Sequence, residues 1–146
     1  MGIDPGAHGG IVWLDADGNV CDITAMPPTP MDILESVRQH GAQGLHCFIE
    51  DVGHGLPGQS SKATATFARH VGNLEMALLA SGVSATKVTP QKWQKHFNLQ
   101  SKKGETKSAH KNRIKAMAQQ RFPQVKVTLL TADALMIALY GLSQTK

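Results

Sequence analysis

The chain has little cysteine, few aromatic residues and no long apolar run. Cys21 and Cys47 are its only cysteines in 146 residues. Both stand in apolar, strand-like contexts and read as small buried hydrophobes in a reducing compartment, not as a disulfide framework. The seven histidines are scattered, with no paired His or Cys at metal-ligand spacing, which argues against zinc. No stretch of about 18 apolar residues occurs, so no membrane span is expected. The start lacks a basic flank followed by an apolar segment, so no secretory signal is expected either.

Acid is scarce in the second part of the chain. Residues 1–51 hold eight acids and one base, a net of −7, whereas residues 52–146 hold three acids and fourteen bases, a net of +11. Between Lys87 and Lys115 nine bases face one acid, Glu105. Such a stripe attracts phosphate backbones through counterion release and points to a nucleic acid partner.

What is present is ordinary for a globular protein, with 41% apolar and 18% charged residues. The length suits one domain over residues 1–146, long enough to bury roughly two-thirds of its unfolded surface. Gly2–Asp4, Gly10–Leu14 and Val20–Ala25 read as a three-strand antiparallel meander, its second turn at Asp15–Asn19. Pro27, Pro28 and Pro30 cannot join a sheet interior. A helix over Met31–His40, a buried strand over Leu45–Ile49 and a glycine-rich loop from Gly53 to Ser61 follow. Phe67, Val71, Leu74 and Leu78 mark the buried stripe of a helix over Ala63–Ala80. Ala85–Val88 is a strand, and Thr89-Pro90 caps and opens a short helix carrying Trp93 and Phe97. Gln100–Thr106 reads as polar and mobile, Ser108–Arg121 as an amphipathic helix, Val125–Leu129 as a short extended segment and Ala132–Leu142 as the last helix. The order implies an α/β architecture: a mixed five-stranded sheet, part antiparallel meander and part parallel strands, flanked by helices.

Three acids stand at element ends. Asp4 closes the first strand before a Pro5-Gly6 turn, Glu50 closes the buried strand, and Asp133 sits in the first turn of the last helix. Each has a bland reading: a turn residue, a strand-mouth carboxylate, a helix-dipole partner. Together they say more, because adjacent parallel strands would set Asp4 beside Glu50 and the last helix can present Asp133 to both. Hard oxygen ligands select Mg²⁺, with Mn²⁺ as a substitute, and two such ions act on phosphodiesters.

With these residues the chain resembles the RuvC-type Holliday junction resolvases of the ribonuclease H-like superfamily, and most of all their phage-encoded branch. The resemblance rests on Gly2-Ile3-Asp4-Pro5-Gly6 with Gly9-Gly10, on Phe48-Ile49-Glu50, and on Pro57-Gly58-Gln59-Ser60-Ser61 followed by Phe67. It continues through Val88-Thr89-Pro90-Gln91-Lys92-Trp93 and Ala132-Asp133-Ala134-Leu135-Met136-Ile137-Ala138, covering almost the whole chain in order. It implies a metal-dependent endonuclease that nicks four-way DNA junctions. Asp4, Glu50 and Asp133 would be both the catalytic residues and the metal ligands. It implies a homodimer as well, matched to a twofold substrate, and a cytoplasmic setting in a bacterial or phage-infected cell.

Candidate DNA contacts are Gln59, Ser60 and Ser61 on the loop and Lys102, Lys103, Lys107 and Lys111 on the basic stripe. Phe67 and Trp93 read as core before base-stacking residues, and His8 and His54 are neighbours of the acids in sequence. The chain departs from the family at Leu130, where another carboxylate or a histidine usually stands one turn before the final Asp; Asp51 is a weak substitute because adjacent strand residues face opposite sides. Two alternatives stay open: a nuclease of the same scaffold acting on flaps or RNA–DNA hybrids, and a junction-binding protein with weak or lost cleavage. An actin-like ATPase, which also opens with Gly-Ile-Asp, would need a far longer chain.

Overall fold

Alternation along the strands sorts the apolar residues onto the two faces of one sheet. The computed structural model describes residues 1–41, 44–53 and 58–145. Its elements are β1 (Gly2–Asp4), β2 (Gly10–Leu14), β3 (Val20–Ala25), α1 (Pro30–His40), β4 (His46–Glu50), α2 (Ser61–Ala80), β5 (Ser84–Val88), α3 (Pro90–His96), α4 (Lys107–Arg121) and α5 (Ala132–Gln144). The strands lie in the order β3-β2-β1-β4-β5. The first three pair antiparallel, while β4 runs parallel to β1 and β5 parallel to β4. This is the mixed five-stranded sheet expected from the sequence.

Ile3, Ile11, Trp13, Cys47 and Ile49 point to one face, where they bury Ile33 and Val37 of α1 and Leu74 and Leu78 of α2. Val12, Phe48 and Val88 point to the other, against Trp93, Ile114, Ala118 and the almost wholly buried α5. α5 lies close on β1 because Gly2 has no side chain: a Cβ there would stand 2.3 Å from the carbonyl oxygen of Ala134 and from the nitrogen of Ala138. α5 therefore starts at the end of the sheet where β1 and β4 finish and runs back over β1.

Several boundaries and burials differ from the sequence reading. Cys21 is exposed, since β3 is an edge strand with little cover, whereas Cys47 is buried in the centre. In α2, Leu74 and Leu78 are buried but Phe67 and Val71 only partly so. Residues 125–129 do not join the sheet, because the Gln119 side chain takes their backbone groups: it donates to the carbonyls of Phe122 and Val125 and accepts from the Val127 N–H.

Candidate active site

Asp4 and Glu50 are the last residues of neighbouring parallel strands, in register through Ile3 opposite Ile49, and both point to the α5 face. Asp133, in the first turn of α5, faces them from above. All three are buried, with relative exposures of 8%, 8% and 3%. Gly9 leaves room for this arrangement: a Cβ there would stand 1.9 Å from the Asp4 carbonyl oxygen and 3.3 Å from its carboxyl carbon.

Three buried acids in one place repel each other's charge. Burial first, then the charges of Glu50 and Asp133, push the Asp4 carboxyl up to about 8, against the pull of Lys111. Glu50 is pushed up to about 7, mainly by burial, with Asp133 adding to the rise; a hydrogen bond from Trp93 and the Lys111 charge oppose it. Lys111 reaches over from α4 and pairs with Asp133 Oδ2. Burial lowers the pKa of this ammonium, but the charges of Asp133, Asp4 and Glu50 together outweigh it and leave it raised.

The pairing is incomplete. Asp133 Oδ1 is buried and has no hydrogen-bond partner among the described residues, an arrangement native interiors rarely keep without a ligand. As they stand, no three His, Cys, Asp or Glu side chains among the described residues close around a single ion; the cation nearest Asp133 is Lys111. The donor set itself, carboxylate oxygens with one left unsatisfied, fits a hard divalent cation and not zinc. An open groove of about 490 Å³ begins one residue past Glu50, lined by Asp51, Val52, Gly53, Thr89, Pro90 and Gln91. It lies past the carboxyl ends of β4 and β5, where open α/β sheets bind ligands.

The candidate DNA residues divide into two groups. Lys111 is part of the acid cluster, and Lys107 lies one turn before it on α4, about 6 Å along the axis. Lys102 and Lys103 are exposed on the tight turn that precedes this helix. On the other side, Phe67 of α2 borders Glu50, Asp51 and the Gly6 turn. Ser61 begins α2 about 9 Å further along, exposed as Gln59 is. Ser60 is a helix cap and not a loop tip, its hydroxyl accepting from the Ala63 N–H. His8 is exposed in the β1–β2 turn. His54 and Pro57 lie outside the described residues. Asp51 accepts from the Gly53 N–H and acts on Lys87, not on the acid cluster, as its position next to Glu50 in the strand requires. Leu130 is exposed, with its carbonyl oxygen against Gly10.

Two features were missed in the sequence. Trp93 is fully buried, yet its indole N–H donates to Glu50 Oε1 at 2.8 Å. It is core and site at once: a buried tryptophan needs a partner for its N–H, and the first turn of α3 places that partner at the end of β4. Thr89 stands at the N-cap of α3 without making a side-chain cap bond. The other feature is the 99–106 segment. It is not the mobile stretch its polar composition suggests. Arg113 of α4 bonds Glu105 twice, Nε to Oε1 at 2.8 Å and Nη2 to Oε2 at 3.0 Å, and also the Gln100 carbonyl at 2.8 Å.

No family model matches the chain, and no curated protein is similar to it in sequence. Solved structures do match. The Thermus thermophilus RuvC structure aligns with a TM-score of 0.62 at 16% identity, over 99% of this chain and 93% of that one. T. thermophilus RuvC in complex with Holliday junction substrate aligns with a TM-score of 0.65 at 15% identity and the same coverage. At such identities the likeness is one of architecture: the chain has the ribonuclease H-like fold of RuvC.

Proposed function

We propose that the chain is a metal-dependent, structure-specific DNA endonuclease of the phage-type RuvC-like branch, resolving four-way (Holliday) or branched junctions by paired nicks. The observation that carries the reading is the meeting of Asp4, Glu50 and Asp133 at one sheet end, with an unsatisfied Asp133 oxygen and Lys111 reaching in from α4. The RuvC relative was solved with a Holliday junction substrate, which supports the same substrate class here.

In this reading Asp4, Glu50 and Asp133 hold Mg²⁺ or Mn²⁺. The bound cation would supply Lewis-acid polarisation of the phosphate and a water acidic enough to attack near neutral pH. The chain's own residues do the rest. Trp93 fixes the rotamer of Glu50 through the indole bond. Lys111 compensates the acids when the cation is absent, and its half-exposed ammonium would be free to stabilise charge on a scissile phosphate. Lys102, Lys103 and Lys107 hold the DNA backbone, and Gln59 and Ser61 meet it from the α2 side. Two cuts on a twofold junction call for two sites, so the working form is a homodimer.

Cleavage of a synthetic four-way junction, a flap and an RNA–DNA hybrid with Mg²⁺, Mn²⁺ or chelator tests this. Cation-dependent paired nicking of the junction above the other two is expected; preference for the hybrid or flap would transfer the site to a different substrate. A second reading follows from Leu130, which offers no ligand where the family usually has one. A chain that binds the junction tightly but never nicks it under either cation would be a junction-binding protein.

A further inference from the structure

Within the basic segment the lone acid, Glu105, could be expected to face outward and weaken the positive field. It faces inward. Its side chain is 11% exposed and both oxygens are engaged by Arg113, itself 24% exposed. Oε2 also accepts from the Lys102 N–H at 2.9 Å, and the Glu105 N–H returns a bond to the Lys102 carbonyl at 3.0 Å. The turn between them places Gly104 at a φ of +79°, where a side chain would be strained. Behind the turn, the His110 ring Nε2 lies 2.8 Å from the Leu99 carbonyl, and Arg113 holds the Gln100 carbonyl. The one acid and one arginine of the segment are thus spent on each other, and on the turn and the first residue of α4 the exposed charges are Lys102, Lys103 and Lys107.

We infer that Arg113 is a positioning residue for DNA binding: through Glu105 it preforms the 99–106 turn, so that Lys102 and Lys103 meet the phosphate backbone already in place ahead of α4. The inference rests on the proposed function and deepens it. A planar guanidinium gripping a carboxylate through two parallel bonds, with a carbonyl on the same nitrogen, is a geometry that lysine cannot reproduce. Two long side chains on a fixed turn lose less freedom on binding than two on a loose one. Arg113 would therefore raise affinity without itself neutralising a phosphate.

The test compares Arg113→Lys and Glu105→Gln with Lys102→Ala/Lys103→Ala, all in the full chain. The first readout needs no DNA: trypsin cleavage after Lys102 and Lys103, and amide exchange over 101–105. Arg113→Lys should speed both about tenfold while the global melting point hardly moves. The second is the Kd for a four-way junction in chelator across a salt series. Arg113→Lys should raise Kd roughly five- to tenfold with an unchanged salt slope. The double lysine variant should reduce the slope by roughly 1.8, about 0.9 for each lost phosphate contact. Glu105→Gln should fall between wild type and Arg113→Lys in both readouts, which separates loosening of the turn from misfolding of one variant.

Equal protease and exchange rates in wild type and Arg113→Lys would overturn the inference. So would a salt slope lowered by Arg113→Lys itself, since Arg113 would then be a phosphate contact. Failure of the underlying reading is a different result: wild-type protein that does not distinguish a junction from duplex, whatever the turn does.

Discussion

Lys111 and Arg113 stand two residues apart on α4, and each pairs with an acid, but the pairs differ in kind. Arg113 and Glu105 satisfy each other through two bonds and take in neighbouring backbone groups. Lys111 gives Asp133 one contact, leaves Oδ1 bare and has two more acids in its field. The closed pair serves architecture. The open pair leaves a buried carboxylate oxygen unsatisfied among the described residues, where the proposed cation would bind. Buried charges are tolerated only when compensated or neutralised, and here one half-exposed lysine faces three acids, two of which burial drives toward the neutral form.

The largest expected effect breaks the open pair's chemistry. Asp4→Asn should lower junction nicking roughly 10³-fold or more, a loss of several kcal/mol of transition-state stabilisation, with junction binding in chelator largely kept. Nicking at the normal rate would remove Asp4 from the site.

Lys111→Met sharpens the comparison. Removing the competing cation should tighten Mn²⁺ binding about tenfold by calorimetry. It should also destabilise the metal-free protein by about 1–2 kcal/mol, less than a fully buried pair because the lysine is half exposed. Arg113→Lys should leave Mn²⁺ affinity unchanged; if both changes shift it equally, the two pairs are not distinct.

A pH series separates the open cluster from the closed pair in another way. Asp4 and Glu50 have folded pKa values raised to about 8 and about 7 from ordinary values of 3.8 and 4.5. The folded state therefore binds protons more tightly than the unfolded state. The stability this contributes is fully present below about pH 4 and is lost as pH rises through 7 to 8. The melting point of metal-free protein should accordingly decline between pH 5 and pH 8 as these two groups ionise, and saturating Mn²⁺ should flatten the decline. A melting point that rises over that window without metal would mean that burial and the neighbouring acids do not raise these two carboxyls.

How far the sequence carried this picture depends on whether a feature follows from local order. The meeting of Asp4 and Glu50 was legible, because two apolar runs that each end in an acid become neighbours once their strands pair in parallel. Asp133 was legible as a helix opener. The Trp93 bond to Glu50 was not, since it joins residues 43 apart in the chain through tertiary packing. Nor was the Arg113–Glu105 clamp, because composition alone makes 100–106 a polar loop and the guanidinium that orders it comes from the helix beyond. Cys21 was misjudged because an apolar pattern does not reveal that its strand lies at an edge.

Two smaller effects probe the borders of the open site. Trp93→Phe removes the indole bond to Glu50 together with part of a fully buried ring, and nicking should fall roughly tenfold with about 2–4 kcal/mol of stability lost. An unchanged rate would show that packing alone holds Glu50. Leu130→Asp adds a carboxylate one turn before Asp133 and should tighten Mn²⁺ binding a few-fold; no change in metal dependence would show that position 130 cannot reach the ion.

The most direct test is anomalous diffraction from crystals of the protein soaked in Mn²⁺. The account predicts a manganese peak between the carboxylates of Asp4, Glu50 and Asp133, with the Lys111 ammonium moved off Asp133. Crystals that show no peak there at saturating Mn²⁺, with Lys111 still on Asp133, would contradict it.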